Sequence, residues 1–167
     1  GGKFFPLIDT FGQYKHRDWP GKTHSPDDLQ KRRSQEQAEL EKQPGPSDWD
    51  RYGGWQGGPK LDATGFFRVQ KLKGKWWLVD PEGRLFWSHG IDCVLAQDHT
   101  PIDERDAWFE DFSGRQGDLR AFLGGGWVLK GHYAGRQVKT YSFAAANLKR
   151  KYGDDWQQTA GQLAHRR

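Results

Sequence analysis

The chain has 167 residues, the length of one domain or of part of a larger one. It carries 26 Lys and Arg against 22 Asp and Glu, a net charge of +4, but its basic runs are followed directly by acidic residues. This mixing is typical of helix surfaces and argues against a nucleic-acid partner. No apolar run approaches the roughly 20 residues of a membrane span, and a single cysteine excludes an internal disulfide framework.

The apolar content is concentrated in aromatic rings. Only 34% of the residues are hydrophobic, yet 14% are aromatic, with nine Trp, ten Phe and five Tyr. Met is absent, even at position 1. The composition therefore predicts a processed or excised piece of a longer protein.

Residues 1–64 predict an extended lead-in, one helix and an aromatic loop. Ser25-Pro26-Asp27-Asp28 resembles a helix start, because Ser caps, Pro suits the first position and acids favour the positive end of the dipole. The helix is expected to run to about Lys42, with a thin apolar face. Residues 47–64 hold two Gly-Gly pairs and two Trp, which predicts a structured loop whose rings need burial or a ligand.

Residues 65–96 carry the clearest strand pattern. Strands are predicted at 66–72 and 76–79, joined by a tight turn at Lys73-Gly74. Asp80-Pro81-Glu82-Gly83 has the signature of a type I turn. A third strand is predicted from Leu85 to Val94, and the short connections predict antiparallel pairing.

The remainder is predicted to be mostly helical. Thr100-Pro101 would open a helix through about Phe112, whereas Gly124-Gly125-Gly126 predicts a loop. A helix at Ser142–Tyr152, a break at Gly153 and a last helix through Arg167 follow. The last helix has no stop signal, which predicts a chain that ends within an element.

No catalytic, cofactor or metal site is predicted from these residues. His89, Asp92, Cys93, Asp98 and His99 lie close in sequence, but their spacing matches no standard zinc pattern. The carboxylates of 103–111 are better explained as a solvated helix face, and Cys93 as a small buried hydrophobe. No Gly-rich phosphate loop is present.

The tryptophans divide into two predicted sets. Trp76, Trp77 and Trp87 lie in strands and are expected to pack a core. Trp19, Trp49 and Trp55 lie in Gly/Pro-rich loops, where a core role and a role in stacking on sugar rings remain equally open.

Two stretches carry a resemblance to a known family: Ala63-Thr64-Gly65-Phe66-Phe67-Arg68-Val69, and the run from Gly74 to Asp92 that reads GKWWLVDPEGRLFWSHGID. They resemble agarase-type glycoside hydrolases, family 50 and its relatives. Segments 8–13, 18–22 and 152–156 are also similar to that family.

The resemblance implies an α/β fold in which an antiparallel hairpin leads into the first β/α unit of an incomplete (β/α)8 barrel. The expected divisions are a lead-in at 1–64, the hairpin at 65–84, and the first strand and helices of the barrel at 85–167. A whole barrel takes about 250 residues, so the catalytic Glu pair of a retaining mechanism is expected outside this chain. The isolated chain is expected to be inactive.

The resemblance also implies the ligand. We expect His89, Asp92, Asp98 and Trp55 to contact a galactan-type polysaccharide or oligosaccharide. They combine strand-end or loop placement with groups that bind sugar hydroxyls or ring faces, and barrel enzymes bind substrate beyond the carboxyl ends of their strands. The remainder of the enzyme, possibly a second chain, is the expected partner. No nucleic acid, membrane or cofactor is expected, and the site of action would be secreted or periplasmic.

Two other functions remain open. A noncatalytic carbohydrate-binding module needs only aromatic platforms and no carboxylate pair. A structural or interaction protein would use the same aromatic residues only as core.

Overall fold

The computed structural model describes residues 3–90, 92, 98–111 and 117–166. Helices and antiparallel sheets are mixed, as the sequence predicts, in two compact units: Gly1–Glu39 with Val94–Arg167, and Leu40–Cys93. The helices are α1 (Pro26–Lys42), α2 (Phe143–Tyr152) and α3 (Trp156–Arg166). The strands are β1 (Arg68–Leu72), β2 (Lys75–Val79), β3 (Leu85–Phe86), β4 (Thr100–Pro101), β5 (Leu123–Trp127) and β6 (Gln137–Tyr141).

The predicted hairpin is confirmed in the Leu40–Cys93 unit. Strands β1 and β2 pair antiparallel from Arg68↔Val79 to Leu72↔Lys75, so the loop has only two residues. Lys73 and Gly74 have φ values of 47° and 83°, the left-handed pair that a type I′ hairpin turn requires.

The predicted turn after β2 is also present. The Gly83 amide donates to the Asp80 carbonyl at 3.1 Å, and the Asp80 amide donates to the Arg84 carbonyl at 2.9 Å. This turn returns the chain so that β3 pairs antiparallel with β2, through Leu78↔Phe86 and Val79↔Leu85.

The third strand is shorter than predicted. It ends at Phe86, and residues 87–90 are not in a strand, while 91 and 93–97 lie outside the described residues. Trp87, the first residue beyond the strand, lines a pocket together with Trp77 of β2.

The glycine run at 124–126 is a strand, so its prediction as a loop is wrong. Strand β5 pairs with β6 through five residue pairs, from Leu123↔Tyr141 to Trp127↔Gln137. The hydrogen bonds between strands involve only backbone groups. A strand can therefore form in a glycine run, where the side chains show no period-2 pattern. Gly125 has φ 154°, and a Cβ there would lie 2.4 Å from the Val138 carbonyl oxygen.

The helix predicted from Thr100 to Phe112 is not formed among the described residues of that segment. Thr100 and Pro101 pair with Tyr141 and Thr140 as β4, and the Ile102 amide continues toward β6 by donating to Lys139. Glu104 then takes φ 55°, which an α-helix does not allow, and only Asp106–Trp108 form a 3₁₀ turn. Pairing with β6 thus overrides the local helix signals.

The three long helices follow the sequence predictions. In α1, Leu29 and Leu40 are the buried apolar residues, which confirms its thin apolar face. The Ser142 side chain caps α2 by accepting from the Ala145 amide, and Gly153, at φ 79°, ends it.

Two apolar clusters pack the helices of the Gly1–Glu39 and Val94–Arg167 unit. The first joins α2 to β6 and consists of Phe109, Tyr141, Phe143 and Ala146. The second lies between α2 and α3 and consists of Ala145, Tyr152 and Trp156. Phe122 packs against both, so the segment before β5 is held to α2 and α3.

Replacing Gly125 with Ala is expected to lower the free energy of unfolding by about 1–3 kcal/mol, because the new Cβ meets backbone at a strained φ. Gly126→Ala is the matched control, since nothing lies within 4 Å of a Cβ there. Its stability should stay within about 1 kcal/mol of wild type. Urea unfolding of both variants measures the difference, and equal stabilities would contradict the β5–β6 geometry.

Candidate functional site

The Leu40–Cys93 unit contains an aromatic pocket of about 320 Å³. It is lined by Trp49, Gly53, Trp55, Trp77, Leu85, Phe86, Trp87 and His89. Two parts of the chain build it: the loop that carries Trp49 and Trp55, and the run through β3 to His89. Four indole rings around one cavity make it suited to a ligand with apolar faces and polar edges.

The first part is a closed loop. Trp49 and Trp55 form an antiparallel bridge, and the Asp50 Oδ1 atom accepts from the amides of Tyr52 at 2.9 Å and Gly54 at 2.7 Å. The Trp55 amide donates to the Leu85 carbonyl at 2.8 Å. The backbone therefore fixes Trp55 against β3.

Two glycines allow the Trp55 indole to lie directly on backbone. A Cβ on Gly58 would lie 2.3 Å from the Cε3 atom of Trp55, and one on Gly57 would lie 2.9 Å from its Nε1 atom. The Trp55 side chain nevertheless remains 45% exposed. A supported ring with an exposed surface is what a stacking platform for a ligand needs.

His89 also lines the pocket and adds a polar group. Its ring packs edge-on against Trp49, with centroids 5.3 Å apart. Its Nδ1 atom lies 3.1 Å from the Trp87 carbonyl oxygen, so Nδ1 carries the proton of this hydrogen bond. In the neutral ring, Nε2 is then an acceptor for a ligand hydroxyl.

The division of the tryptophans made from the sequence is wrong for two of the three strand residues. Trp76 is 69% exposed and Trp87 is 74% exposed, so neither packs a core within this chain. Trp77 is half-buried and lines the pocket with Trp87. Strand alternation places Trp76 on the opposite face of the hairpin from Trp77, away from the pocket.

Trp55 and His89, two of the predicted site residues, therefore lie in one pocket. Sequence reasoning missed Trp77 and Trp87 as lining residues, and it missed the glycines that support Trp55. The Gly-Gly pairs that flank Trp55 were the available signal.

The two predicted carboxylates have different surroundings. Asp92 is exposed. Asp98 accepts three hydrogen bonds: from the Ser142 hydroxyl at 2.9 Å, the Ala144 amide at 2.9 Å and the Thr100 hydroxyl at 2.8 Å. Asp98 thus stabilises the start of α2 within its own unit, and the substrate role of both carboxylates stays a prediction.

A second pair of carboxyl groups lies behind the pocket loop. Asp80 is fully buried, and neither its Oδ2 atom nor that of Asp50 meets a hydrogen-bond donor when both groups are ionised. Burial and the hydrogen bond with Asp50 raise the pKa of Asp80. Burial alone would also raise the pKa of Asp50, but the hydrogen bond from Asp80 and the amides of Gly54 and Tyr52 hold it below its usual value.

Within the described ranges, no group of three or more His, Cys, Asp or Glu side chains is arranged to hold a metal ion.

Asp98→Ala is expected to lower the free energy of unfolding by about 1–3 kcal/mol, because two donors at the start of α2 lose their acceptor. Asp27→Ala, in the first turn of α1, is the control and should cost about 0.5 kcal/mol through the helix dipole alone. Thermal unfolding measures both. A loss for Asp98→Ala no larger than that of the control would refute the structural role.

The chain is similar to one curated relative and to solved structures. It is 36% identical over 171 residues to β-agarase B of Vibrio sp. (strain JT0107). The aligned part makes up 88% of this chain but only 17% of that relative. The agarase AgWH50C matches 98% of the chain with a TM-score of 0.78 at 31% identity. PfGH50B matches 97% with a TM-score of 0.78 at 34% identity, and an exo-β-agarase matches 97% with a TM-score of 0.75 at 29% identity.

The chain spans 26%, 26% and 28% of those three solved chains. No family model matches it. Sequence and fold nevertheless agree along almost the whole of its length. The resemblance predicted from residues 63–92 is confirmed, and the chain is a homologue of one section of the family 50 agarases.

Proposed function

We propose that the chain is the N-terminal portion of a glycoside hydrolase that degrades a galactan-type polysaccharide, and that it supplies part of the sugar-binding cleft. The observation that carries this proposal is the aromatic pocket, which lies in a homologue of agarases. Sugars present apolar C–H faces that stack on indole rings, and hydroxyls that bond to polar groups at the ring edges. Trp55 supplies the platform, and His89 Nε2 accepts a hydroxyl.

Bond cleavage requires carboxylates from elsewhere in the enzyme. A retaining mechanism needs two carboxyl groups about 5–5.5 Å apart on either side of the scissile bond. The residues described as lining the pocket include no carboxylate, and Asp80 is fully buried. The proposed role of this chain is therefore to bind and position the polysaccharide, while a Glu pair outside it performs the chemistry.

The homology to agarases also supports a structural role in the enzyme. We propose that residues 1–64 and the hairpin at 65–84 precede a (β/α)8 barrel whose first β/α unit begins in 85–167. Substrate would then meet the chain after the first strand, where Asp92 and Asp98 follow. The rest of the barrel belongs to the remainder of the enzyme, in the same chain or in a second one.

The proposed site of action is outside the cytoplasm, secreted or periplasmic, because an agarase encounters a polymeric substrate there. None of the helices in the described residues is long and apolar enough to span a membrane.

One observation favours a second candidate function, a noncatalytic carbohydrate-binding module. Every residue that lines the aromatic pocket belongs to the Leu40–Cys93 unit, so binding requires no residue of the other unit. In that case the pocket would bind glycan while contributing nothing to cleavage. A pocket variant that weakens binding but leaves kcat unchanged on soluble oligosaccharides would favour this function.

Trp55→Ala is expected to weaken binding of agarose oligosaccharides about tenfold, because one stacking platform is lost. Trp76→Ala is the matched control: it removes another exposed Trp of the same unit, one that does not line the pocket. Calorimetry and KM measurements on the complete enzyme compare the two.

The same assay extends to His89→Ala, Asp92→Ala and Asp98→Ala, each expected to raise KM or lower kcat. Unchanged kinetics for all three and for Trp55→Ala would refute the site assignment.

The isolated 167-residue chain is expected to release no reducing sugar from agarose, since the catalytic pair is missing. Adding the remainder of the enzyme should restore hydrolysis. Hydrolysis by the isolated chain would contradict the division of roles proposed here.

A further inference from the structure

Two turns meet back to back behind the aromatic pocket. Asp50 closes one turn, with its Oδ1 atom accepting from the amides of Tyr52 and Gly54. Asp80 closes the other in the same way, accepting from Glu82 at 2.8 Å and Arg84 at 2.9 Å. Each carboxyl group therefore uses Oδ1 for its own turn and keeps Oδ2 for the contact between the turns.

The two Oδ2 atoms meet at Gly54. A Cβ built on this glycine would lie 1.9 Å from Oδ2 of Asp80 and 2.8 Å from Oδ2 of Asp50. Both oxygens are buried, and neither has a donor if both groups are ionised. Two unpaired charges buried this close would be strongly destabilising, whereas one proton between them satisfies both oxygens.

We infer that Asp50 and Asp80 share one proton, and that this carboxyl–carboxylate hydrogen bond holds the Trp49–Trp55 loop against the turn before β3. Asp80 carries the proton and acts as a positioning residue for the aromatic pocket. The step from positioning to sugar affinity rests on the proposed function, while the shared proton itself does not.

The position of the pair explains how it acts on the pocket. The Asp50 turn lies between Trp49 and Trp55, and the Asp80 turn leads directly into Leu85, Phe86 and Trp87. The bridge of Gly54 with Phe86 and the bond from Trp55 to Leu85 join the same two parts. Loss of the proton would separate the turns and move Trp55 relative to Trp87.

The surrounding charges do not replace this proton. Arg84 faces the pair, with its Cβ beside Gly54, and lowers the pKa of Asp50. Arg51 is bound to Glu82, with the Nε atom 2.8 Å from Oε1. His89 lines the pocket, so its contribution has to be separated from that of the pair.

The pKa shifts of Asp80 and Asp50 determine how stability changes with pH. The pKa of Asp80 is raised, so its stabilising contribution is present at low pH and is lost as pH rises through that raised value. The pKa of Asp50 is lowered, so its contribution is lost only as pH falls through that lowered value. Between these two values the pair keeps one proton, and the pocket is held most firmly.

Asp80→Asn tests this inference directly. The amide oxygen can accept from Glu82 and Arg84, and the amide nitrogen donates permanently to Asp50. Asp50→Asn places the permanent donor on the other partner and gives an independent result if the first variant does not fold. Asp62→Asn makes the same chemical change at an exposed position of the same unit and is the matched control.

The readouts are Tm and the Kd for an agarose oligosaccharide, measured on the complete protein between about pH 4 and about pH 9. The Tm of wild type and of Asp62→Asn is expected to fall as pH rises. At about pH 9 it should lie about 5 °C below the Tm of Asp80→Asn. Their Kd should rise about threefold over the same range, while Asp80→Asn stays flat. His89 is present in all three proteins, so its contribution cancels in the comparison.

Parallel Tm profiles for wild type, Asp80→Asn and Asp50→Asn would overturn the shared proton. So would a wild-type Tm at high pH that rises with Ca²⁺ and falls with a chelator, because a cation would then join the carboxylates. The proposed function fails separately: unchanged Kd in Trp55→Ala would refute sugar binding and leave the Tm comparison intact.

Discussion

Asp50 and Asp80 meet at Gly54, and this contact joins two turns of the Leu40–Cys93 unit. Its two carboxyl groups each organise a tight turn, and each turn carries one part of the aromatic pocket. Gly54 permits the approach, since any side chain there would occupy the space of the Asp80 carboxyl group. The exposed indoles are thus positioned by a buried polar contact rather than by an extensive apolar core. The protonation state of Asp50 and Asp80 therefore affects the positions of the indole rings.

In the unit of Gly1–Glu39 and Val94–Arg167, a carboxylate also organises the backbone, here at the start of a helix. Asp98 and Ser142 bind each other and the first amides of α2, so a carboxylate expected to meet substrate also fixes a helix start. The aromatic residues and the carboxylates therefore have different roles. The aromatic rings form a surface suited to sugars, whereas Asp50, Asp80 and Asp98 accept hydrogen bonds from backbone amides. This division agrees with the role proposed for the chain, in which polysaccharide binds here and a Glu pair outside the chain cleaves it.

Local signals made part of the fold predictable. Lys73-Gly74 defined the hairpin, and Ser142 and Gly153 bounded α2, because turns and caps depend on a few adjacent residues. The backbone of Thr100 and Pro101 was not predictable in this way. The two residues have the types of a helix start, but they pair with Tyr141 and Thr140 of β6, some 40 residues later.

The candidate site was predictable only in part, for the same reason. Trp55 and His89 stood out by residue type, whereas the placement of Trp76 and Trp87 depended on how far β3 continued alongside β2. Alternation within a strand places side chains on two faces, but it does not reveal which face the rest of the protein covers. The meeting of Asp50 with Asp80 joins residues 30 positions apart and had no local signal at all.

Sugar binding by the aromatic pocket can be tested with a crystal structure of the complete protein and an agarose oligosaccharide. We expect a sugar ring stacked on the Trp55 indole, with a hydroxyl bonded to Nε2 of His89. An oligosaccharide bound elsewhere in the enzyme, with the aromatic pocket left empty, would refute the proposed role of the pocket.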